Sequence, residues 1–314
     1  MAFDADLALE RLSLRRRLIL WRIVAVAMFA CGLLAISGRG IWGARGDGRD
    51  HLVRLRIDGV VGSDTTDTLA LIRRARSNPA VKGMLLDINT PGGAVTGGET
   101  LHDAIAEFAR QKPVAVSMGS LAASAGYMIA VPAQRLFAHH STLTGSIGVI
   151  MQAPDVSGLL DKVGVRVDQL VSGPMKGQPS AVQPLSPQGR EMLQGVIADL
   201  YDMFVTMVAQ GRHLPREKVL ELADGRPYTG SQALSLGLVD QIGGEEEAKE
   251  WLIRTLHLSE TVDVEDMKPR PSFHLDWMRH LLGSVMGIVA ESDRLDGLFR
   301  PGGDLDGAVA IWKP

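Results

Sequence analysis

The stretch "PVAVSMGSLAASAGYMIA", residues 113–130, reads as a strand that runs into a helix. "VAVSM" is an apolar run opened by a proline, which suits a buried strand. From Gly119 to Gly126 every residue except Leu121 is small, and Ser117, Ser120 and Ser124 lie in or beside the run. Two explanations compete. Small residues allow elements to pack closely. They also allow a serine to sit on a crowded strand-to-helix turn as a nucleophile, and Ser124 has Ala122 and Ala123 on one side and Ala125 and Gly126 on the other. The pattern differs from the GxSxG elbow, so at this point both explanations stand.

The flanking sequence continues the same alternation. "HLVRLRI" (51–57) and "VKGMLLDI" (81–88) read as strands. "DTTDTLALIRRARSNP" (64–79) has helical spacing with Asp64 as an N-cap, and "GGAVTGGETLHDAIAEFARQKP" (92–113) predicts a helix from about Ala94. "RLFAH" (135–139) and "VRVDQLV" (165–171) look like strands. A long amphipathic helix follows over 186–212, with Ser186 as cap and Pro187 in its first turn. "YTGSQALSLGLVDQIGG" (228–244) predicts a short helix and a strand, and "EEEAKEWLIRTL" (245–256) another helix. Strands alternating with helices predict an α/β fold with a mostly parallel sheet. The pattern weakens after about Val264. Residues 268–290 could form an amphipathic helix, and 297–314 read as a loose tail.

The chain has 314 residues, 46% hydrophobic and 22% charged, with a net charge of −3. Near-balance gives no reason to expect a nucleic-acid partner. Cys31 is the single cysteine, which excludes a disulfide framework, and no Cys/His spacing suits a metal, so neither metal nor cofactor is expected. The N-terminus carries five arginines, at 11, 15, 16, 17 and 22, ahead of the uncharged run 23–37. Counted from Leu18, the segment has 20 residues with Arg22 as its one charge, about the length needed to span a bilayer. Positive charge ahead of it predicts a cytoplasmic N-terminus. The resulting division is a basic segment (1–17), a transmembrane anchor (18–37), a Gly/Arg-rich linker (38–50), an α/β domain (51–264) and a C-terminal tail (265–314). A cleaved signal ending at "AIS" (35–37) is the rival to the anchor.

Two further features bear on chemistry. "DINTPGGAV" (87–95) puts a proline and two glycines between a strand and a helix. Backbone N–H groups at such a turn could hold an oxyanion or a phosphate, but neither GxGxxG nor GxxxxGK[ST] is present. A nucleophilic serine also needs a base. His139 and His140 could belong to a Ser-His-Asp triad, with Asp87, Asp155 or Asp168 as third member. Lys176, in the almost uncharged "VSGPMKGQPS" (171–180), is the other candidate. A lysine base must be neutral near pH 7, a shift of about 3 units or roughly 4 kcal/mol, which desolvation can supply.

Taken together, "NTPGG", "GSLAASAGYMIA", "LTGSIGVI", "SGPMKGQPSAVQPLS" and "DGRPYTGSQALSLGLVDQIG" occur in an order and spacing that resemble the signal peptide peptidase A family. The resemblance covers roughly residues 51–255. It implies a membrane-associated Ser/Lys protease with a fold related to Clp protease and crotonase. By position it implies Ser124 as nucleophile, Lys176 as general base 52 residues later, and Ser146 as the serine that hydrogen-bonds the lysine. It implies the N–H groups of Gly93 and Ala125 as the oxyanion hole, although Ala125 stands where the family usually has glycine. His139 and His140 match no catalytic position. The implied substrates are leftover signal peptides and other apolar membrane-derived peptides. The implied location is the bacterial inner membrane, with the protease domain outside the cytoplasm. Short members resemble rings whose neighbouring subunits complete the sites, so a homo-oligomer is expected. A crotonase-type acyl-CoA enzyme and a non-catalytic membrane scaffold are the alternatives.

Overall fold

The computed structural model describes Trp21, residues 49–268 and residues 309–311. Apart from Trp21, the anchor expected at 18–37 lies outside the described residues, and so does the amphipathic stretch expected at 268–290 beyond Lys268. The chain divides into two units, Met1–Arg49 and Asp50–Pro314, and the second carries the fold.

Its centre is a set of parallel strands: β1 (His51–Asp58), β2 (Val81–Thr90), β4 (Val114–Ala123), β5 (Arg135–Ala138) and β6 (Leu143–Gly145). The main order is β7-β6-β4-β2-β1-β9, with β7 (Pro227–Thr229) and β9 (Val264–Asp266) at its ends. Only β6 and β7 pair antiparallel in this sheet. β2 and β4 are nearly continuous apolar runs because helices cover both faces.

α1 (Thr66–Ser77) and α2 (Val95–Ala109) cover one face with Ile72, Leu101, Ile105 and Phe108, over Met84, Leu86, Val114 and Val116. On the other face α8 (Glu245–Leu256) packs Ala248 and Leu252 on Leu52, Leu85, Ala115 and Phe137. Successive residues of each strand thus serve opposite cores. Each fully buried Leu or Phe contributes about 1.5–3 kcal/mol.

The outer edge of β4 is shared. Ala115 to Met118 pair with β5, whereas Leu121 to Ala123 pair with β6, so the sheet forks around Gly119 and Ser120. β5 carries β8 (Gln241–Ile242), while β6 lies beside the end of β4.

The remaining helices are α3 (Ala125–Ala130), α4 (Ser157–Lys162), α5 (Pro187–Arg212), α6 (Arg216–Leu222) and α7 (Gly230–Ser235). Ser186 caps α5 as expected, its Oγ accepting from Gly189 N–H at 3.0 Å. Among the described residues α5 is the one helix long and apolar enough to cross a membrane, but its Phe204, Val205 and Val208 are buried in the core. Asp64 accepts from Thr66 N–H at 3.0 Å, and the N-cap position itself falls on Thr65.

Two expectations fail. "VRVDQLV" (165–171) forms no strand: every residue from 161 to 170 is exposed, and Leu170 is 99% exposed. Its alternation is real, but no strand edge of the described chain pairs with it. Conversely, Val309–Ile311 in the expected loose tail is a strand, β10, antiparallel to β3 (Gly92–Ala94).

Candidate active site

β4 stops at Ala123 and α3 starts at Ala125, so Ser124 alone makes the turn, with φ 57° and ψ −119°. A side chain rarely adopts this conformation, and at functional sites such strain is held in place by surrounding bonds. Here Ser124 N–H donates to Gly145 C=O at 2.8 Å and Ser124 C=O accepts from Met128 N–H at 2.9 Å. The residue is 1% exposed, and its hydroxyl has no hydrogen-bond partner among the described residues.

The small neighbours follow from this turn. A Cβ on Gly126 would stand 2.4 Å from Thr90 Cγ2, and one on Gly98 would stand 3.0 Å from both Ala125 Cβ and Met128 Sδ. The packing explanation and the nucleophile explanation therefore hold together: close packing makes the turn possible. Ala125 is fully buried and has no positive φ, so alanine costs nothing in backbone strain there and keeps the N–H.

Ser146 stands on the adjacent strand end. Ala123 pairs with Gly145, which brings the next residues, Ser124 and Ser146, to neighbouring positions beyond β4 and β6. This is the carboxyl end of parallel strands, where open α/β sheets place their ligands. Ser146 is 6% exposed, and its Oγ donates to Gly225 C=O at 3.2 Å rather than to Lys176.

Gly93 lies in β3, which packs against α3. Thr90 Oγ1 accepts from Gly92 N–H at 3.1 Å and holds the turn at Pro91. Val61 N–H donates to Gly92 C=O at 2.9 Å, and Ala94 N–H donates to Val61 C=O at 2.8 Å. Alternation along the strand turns the N–H and C=O of Gly93 away from Val61. Only glycine fits, because a Cβ would lie 2.0 Å from Val61 O.

No hydrogen bond joins the Lys176 ammonium to Ser124 or Ser146 among the described residues. Lys176 is exposed, with no hydrogen-bond or ion-pair partner for its ammonium among the described residues. The stretch of sequence before it carries exposed apolar side chains, Leu159, Val163, Leu170 and Val171 among them.

The triad candidates do not converge on Ser124. His140 Nδ1 lies 2.8 Å from Ser231 Oγ, and His139 is exposed beside Gly244. Asp155 accepts from Ser157 N–H, and Asp168 is exposed. Asp87 faces Arg56 at 3.5 Å; burial, helped by the charge of Glu245, raises its carboxyl above the usual range against the pull of Arg56. Burial likewise raises the phenol of Tyr127, whose OH donates to Leu238 C=O at 2.7 Å beneath the turn. Among the described residues no three His, Cys, Asp or Glu side chains form a metal-ligating group. Sequence reasoning overlooked Thr90 and Val61, which fix Gly93 from outside the glycine motif.

Comparison with known proteins bears on the same residues. Residues 106–259 match the model of Peptidase family S49, a span that includes Ser124, Ser146 and Lys176. A protein of Synechocystis sp. that bears the name of a protease is 36% identical over 259 residues, 81% of this chain and 91% of its own. An Enterococcus faecium protein that bears the name signal peptide peptidase SppA is 33% identical, covering 81% of this chain and 78% of its own. Protease 4 of Salmonella typhi is 40% identical over 74% of this chain but only 37% of its own length. A solved structure of a ClpP1 point mutant from Listeria monocytogenes is similar at a TM-score of 0.43 and 18% identity, over 64% of this chain and 95% of that one.

Proposed function

The chain belongs to Peptidase family S49 and is a serine protease, and from that premise we propose a membrane-anchored endopeptidase that uses Ser124 as nucleophile and Lys176 as general base. Its substrates are cleaved signal peptides and other apolar membrane-derived peptides. The single observation that carries the site is the Ser124 turn: a nearly buried serine at positive φ, its hydroxyl without a hydrogen-bond partner among the described residues, at the carboxyl end of parallel strands beside Ser146.

Neutral Lys176 accepts the Ser124 Oγ proton as Oγ bonds to the scissile carbonyl carbon. The carbonyl electrons become an oxyanion lone pair, held by the N–H groups of Gly93 and Ala125. As the intermediate collapses, the C–N bond breaks and the Lys176 ammonium protonates the departing amine. Water then gives a proton to Lys176 and attacks the acyl-enzyme, and that proton returns to Ser124 as the acid product leaves. Ser146 orients the lysine.

The exposure of Lys176 supports a homo-oligomer in which it serves a neighbour's Ser124. The exposed apolar side chains that precede it in sequence form the kind of surface that subunit interfaces cover. Burial there would also provide the desolvation that a lysine base needs. Residues 51–264 form the protease domain. Residues 18–37 anchor it in the inner membrane, with residues 1–17 in the cytoplasm and the protease domain outside it; the arginine cluster supports that orientation.

The test is cleavage of one apolar peptide, together with labelling by a serine-directed fluorophosphonate. Wild type should cleave and label, Ser124→Ala should do neither, and Lys176→Ala should lose cleavage. Near-wild-type cleavage by Lys176→Ala would remove the dyad, and labelling of Ser124→Ala at the wild-type rate would remove the nucleophile.

A further inference from the structure

Two groups of the proposed site depend on α3: Ser124 makes the turn before it, and Ala125 opens it. A helix of six residues closes few internal bonds. Its neighbours approach it closely: Thr90 packs on Gly126, Gly98 on Ala125, and Gly211 of α5 on the carbonyl of Val131, just past the end of α3. Such packing limits how near the helix comes to its neighbours. Rotation about the helix axis, and slide along it, are fixed better by a directional bond. Tyr127 supplies one. It is the one residue of α3 with a hydroxyl, amide or charged side chain. It is fully buried, and its OH donates to Leu238 C=O at 2.7 Å.

The acceptor is braced as well as the donor. Leu238 lies in the turn between α7 and β8 and is fully buried, and its N–H donates to Ala233 C=O at 2.8 Å. Arg212, the last residue of α5, donates from Nε to Gly237 C=O at 3.2 Å. Its Nη1 and Nη2 donate to Asp240 Oδ2 and Oδ1 at 3.1 and 2.6 Å. Asp240 Oδ2 also accepts from Leu136 N–H of β5 at 2.8 Å. Two parallel bonds between a guanidinium and a carboxylate fix angle as well as distance, and the two side chains are only 7% and 21% exposed. Contacts therefore run from the sheet through Asp240 and Arg212 to the Leu238 turn, and from there to Tyr127. Burial raises the phenol above its ordinary value, so its OH stays protonated and stays a donor.

We propose that Tyr127 is a positioning residue for the cleavage reaction: its bond to Leu238, braced by Arg212 and Asp240, fixes the rotation of α3 and with it the aim of Ser124 Oγ and of the Ala125 N–H. The proposal rests on the roles given to Ser124 and Ala125 above. Tyr127 acts through the backbone and not on the reacting atoms. Ser124 C=O accepts from the N–H of Met128, the residue after Tyr127, at 2.9 Å, so a rotation of α3 passes directly to the turn. Catalytic groups must be held to within about 0.5 Å of the productive geometry. A misplacement of about 1 Å can cost on the order of a hundredfold in rate. Removing the phenol oxygen leaves a buried carbonyl without its donor and frees the helix to settle at another angle.

The experiment uses the full chain and measures cleavage of one apolar peptide per active site, the sites being counted by fluorophosphonate labelling carried to completion. Tyr127→Phe keeps the ring and deletes only the hydroxyl. Its kcat should fall by about tenfold to a hundredfold with KM unchanged, and labelling should slow by the same factor. Leu252→Ala, in the separate core on the other face of the sheet, is the control for stability. It should melt at least as low as Tyr127→Phe and keep its kcat, both assayed well below their melting temperatures. Arg212→Lys leaves Tyr127 in place but gives up the bidentate pair, and should lower kcat a few-fold in the same direction. It keeps the test available should Tyr127→Phe fail to fold. Because both changes act through the Leu238 turn, the double variant should lose less than the product of the two factors. Wild-type kcat in Tyr127→Phe, an equal loss in Leu252→Ala, or losses that multiply in the double variant would each overturn the proposal. Labelling of Ser124→Ala at the wild-type rate would instead overturn the assignment of Ser124, and the proposal with it.

Discussion

Ser124 and Ser146 each stand one residue beyond the paired positions Ala123 and Gly145 on adjacent parallel strands, and each has a positive φ, 57° and 50°. Two neighbouring non-glycine residues in that region store about 1–3 kcal/mol each. Their side chains differ in what they return. Ser146 Oγ donates to Gly225 C=O, whereas Ser124 Oγ has no partner among the described residues. Ser124→Gly should therefore raise the melting temperature by about 2–4 °C, the effect of roughly 1 kcal/mol in a domain of this size, while cleavage is lost. Ser146→Gly should gain less, because it gives up a hydrogen bond of about 1 kcal/mol. Thermal melts of both variants decide this, and a lower melting temperature for Ser124→Gly would refute stored strain at the turn.

The two N–H groups proposed for the oxyanion hole, those of Gly93 and Ala125, are predicted to tolerate substitution very differently. Ala125 needs no special φ, so Ala125→Gly keeps the donor and should retain activity within a few-fold, at a cost of about 1 kcal/mol for glycine in a helix. Gly93→Ala places a Cβ 2.0 Å from Val61 O and forces β3 off that neighbour. Loss of one oxyanion donor costs about 10²–10³ in kcat, and Gly93→Ala should lose at least that much. Equal kcat for the two variants would remove Gly93 from the oxyanion hole.

The contrast between legible and illegible parts follows from the range of the interactions. The strand-turn-helix around Ser124 and the capped start of α5 were legible because local sequence dictates both: Ala123, Ala125 and Gly126 are small, and Ser186 precedes Pro187. The α/β class followed from the buried runs of β2 and β4. The fork at Gly119 was not legible, because nothing local says that β4 divides its edge between β5 and β6. "VRVDQLV" misled because a period of two records a tendency to pair and not the presence of a partner. β10 was missed for the converse reason: a three-residue strand is too short to carry a pattern, and its pairing with Gly92 to Ala94 spans more than 200 residues of sequence.

The placement of Lys176 leads to a prediction about mixed subunits. Ser124→Ala and Lys176→Ala chains should each be inactive. If the lysine serves a neighbour, a site in a randomly mixed equimolar assembly works when its serine comes from one variant and its lysine from the other. That recovers about one quarter of the wild-type activity in a cyclic arrangement. The measurement is peptide cleavage after dissociating and reassembling the mixture. No recovery, with reassembly verified by size, would place Lys176 and Ser124 of one chain in the same site.

Acid sensitivity should concentrate at the edge strand β9. Arg54 Nε donates to Asp266 Oδ1 at 2.5 Å, and Arg54 also pairs with Glu245. The Arg54 hydrogen bond, more than its charge, holds the Asp266 carboxyl below its usual value. The folded state therefore binds that proton less readily than the unfolded chain does. The stabilisation is present above the ordinary Asp range near about 3.9 and is lost as pH falls through the lower folded value. Asp87 acts with the opposite sign: its raised carboxyl favours the folded state below its usual value, and that contribution is lost as pH rises through the folded one. Asp266→Asn should therefore melt below wild type from pH 5 to 7 by a constant margin that closes as pH falls below about 4. Asp87→Asn should recover relative to wild type as pH rises from 4 toward 7. Melting curves at low salt, where these partly exposed pairs are least screened, provide the check, and curves parallel to wild type across the range would show that neither carboxylate couples folding to pH.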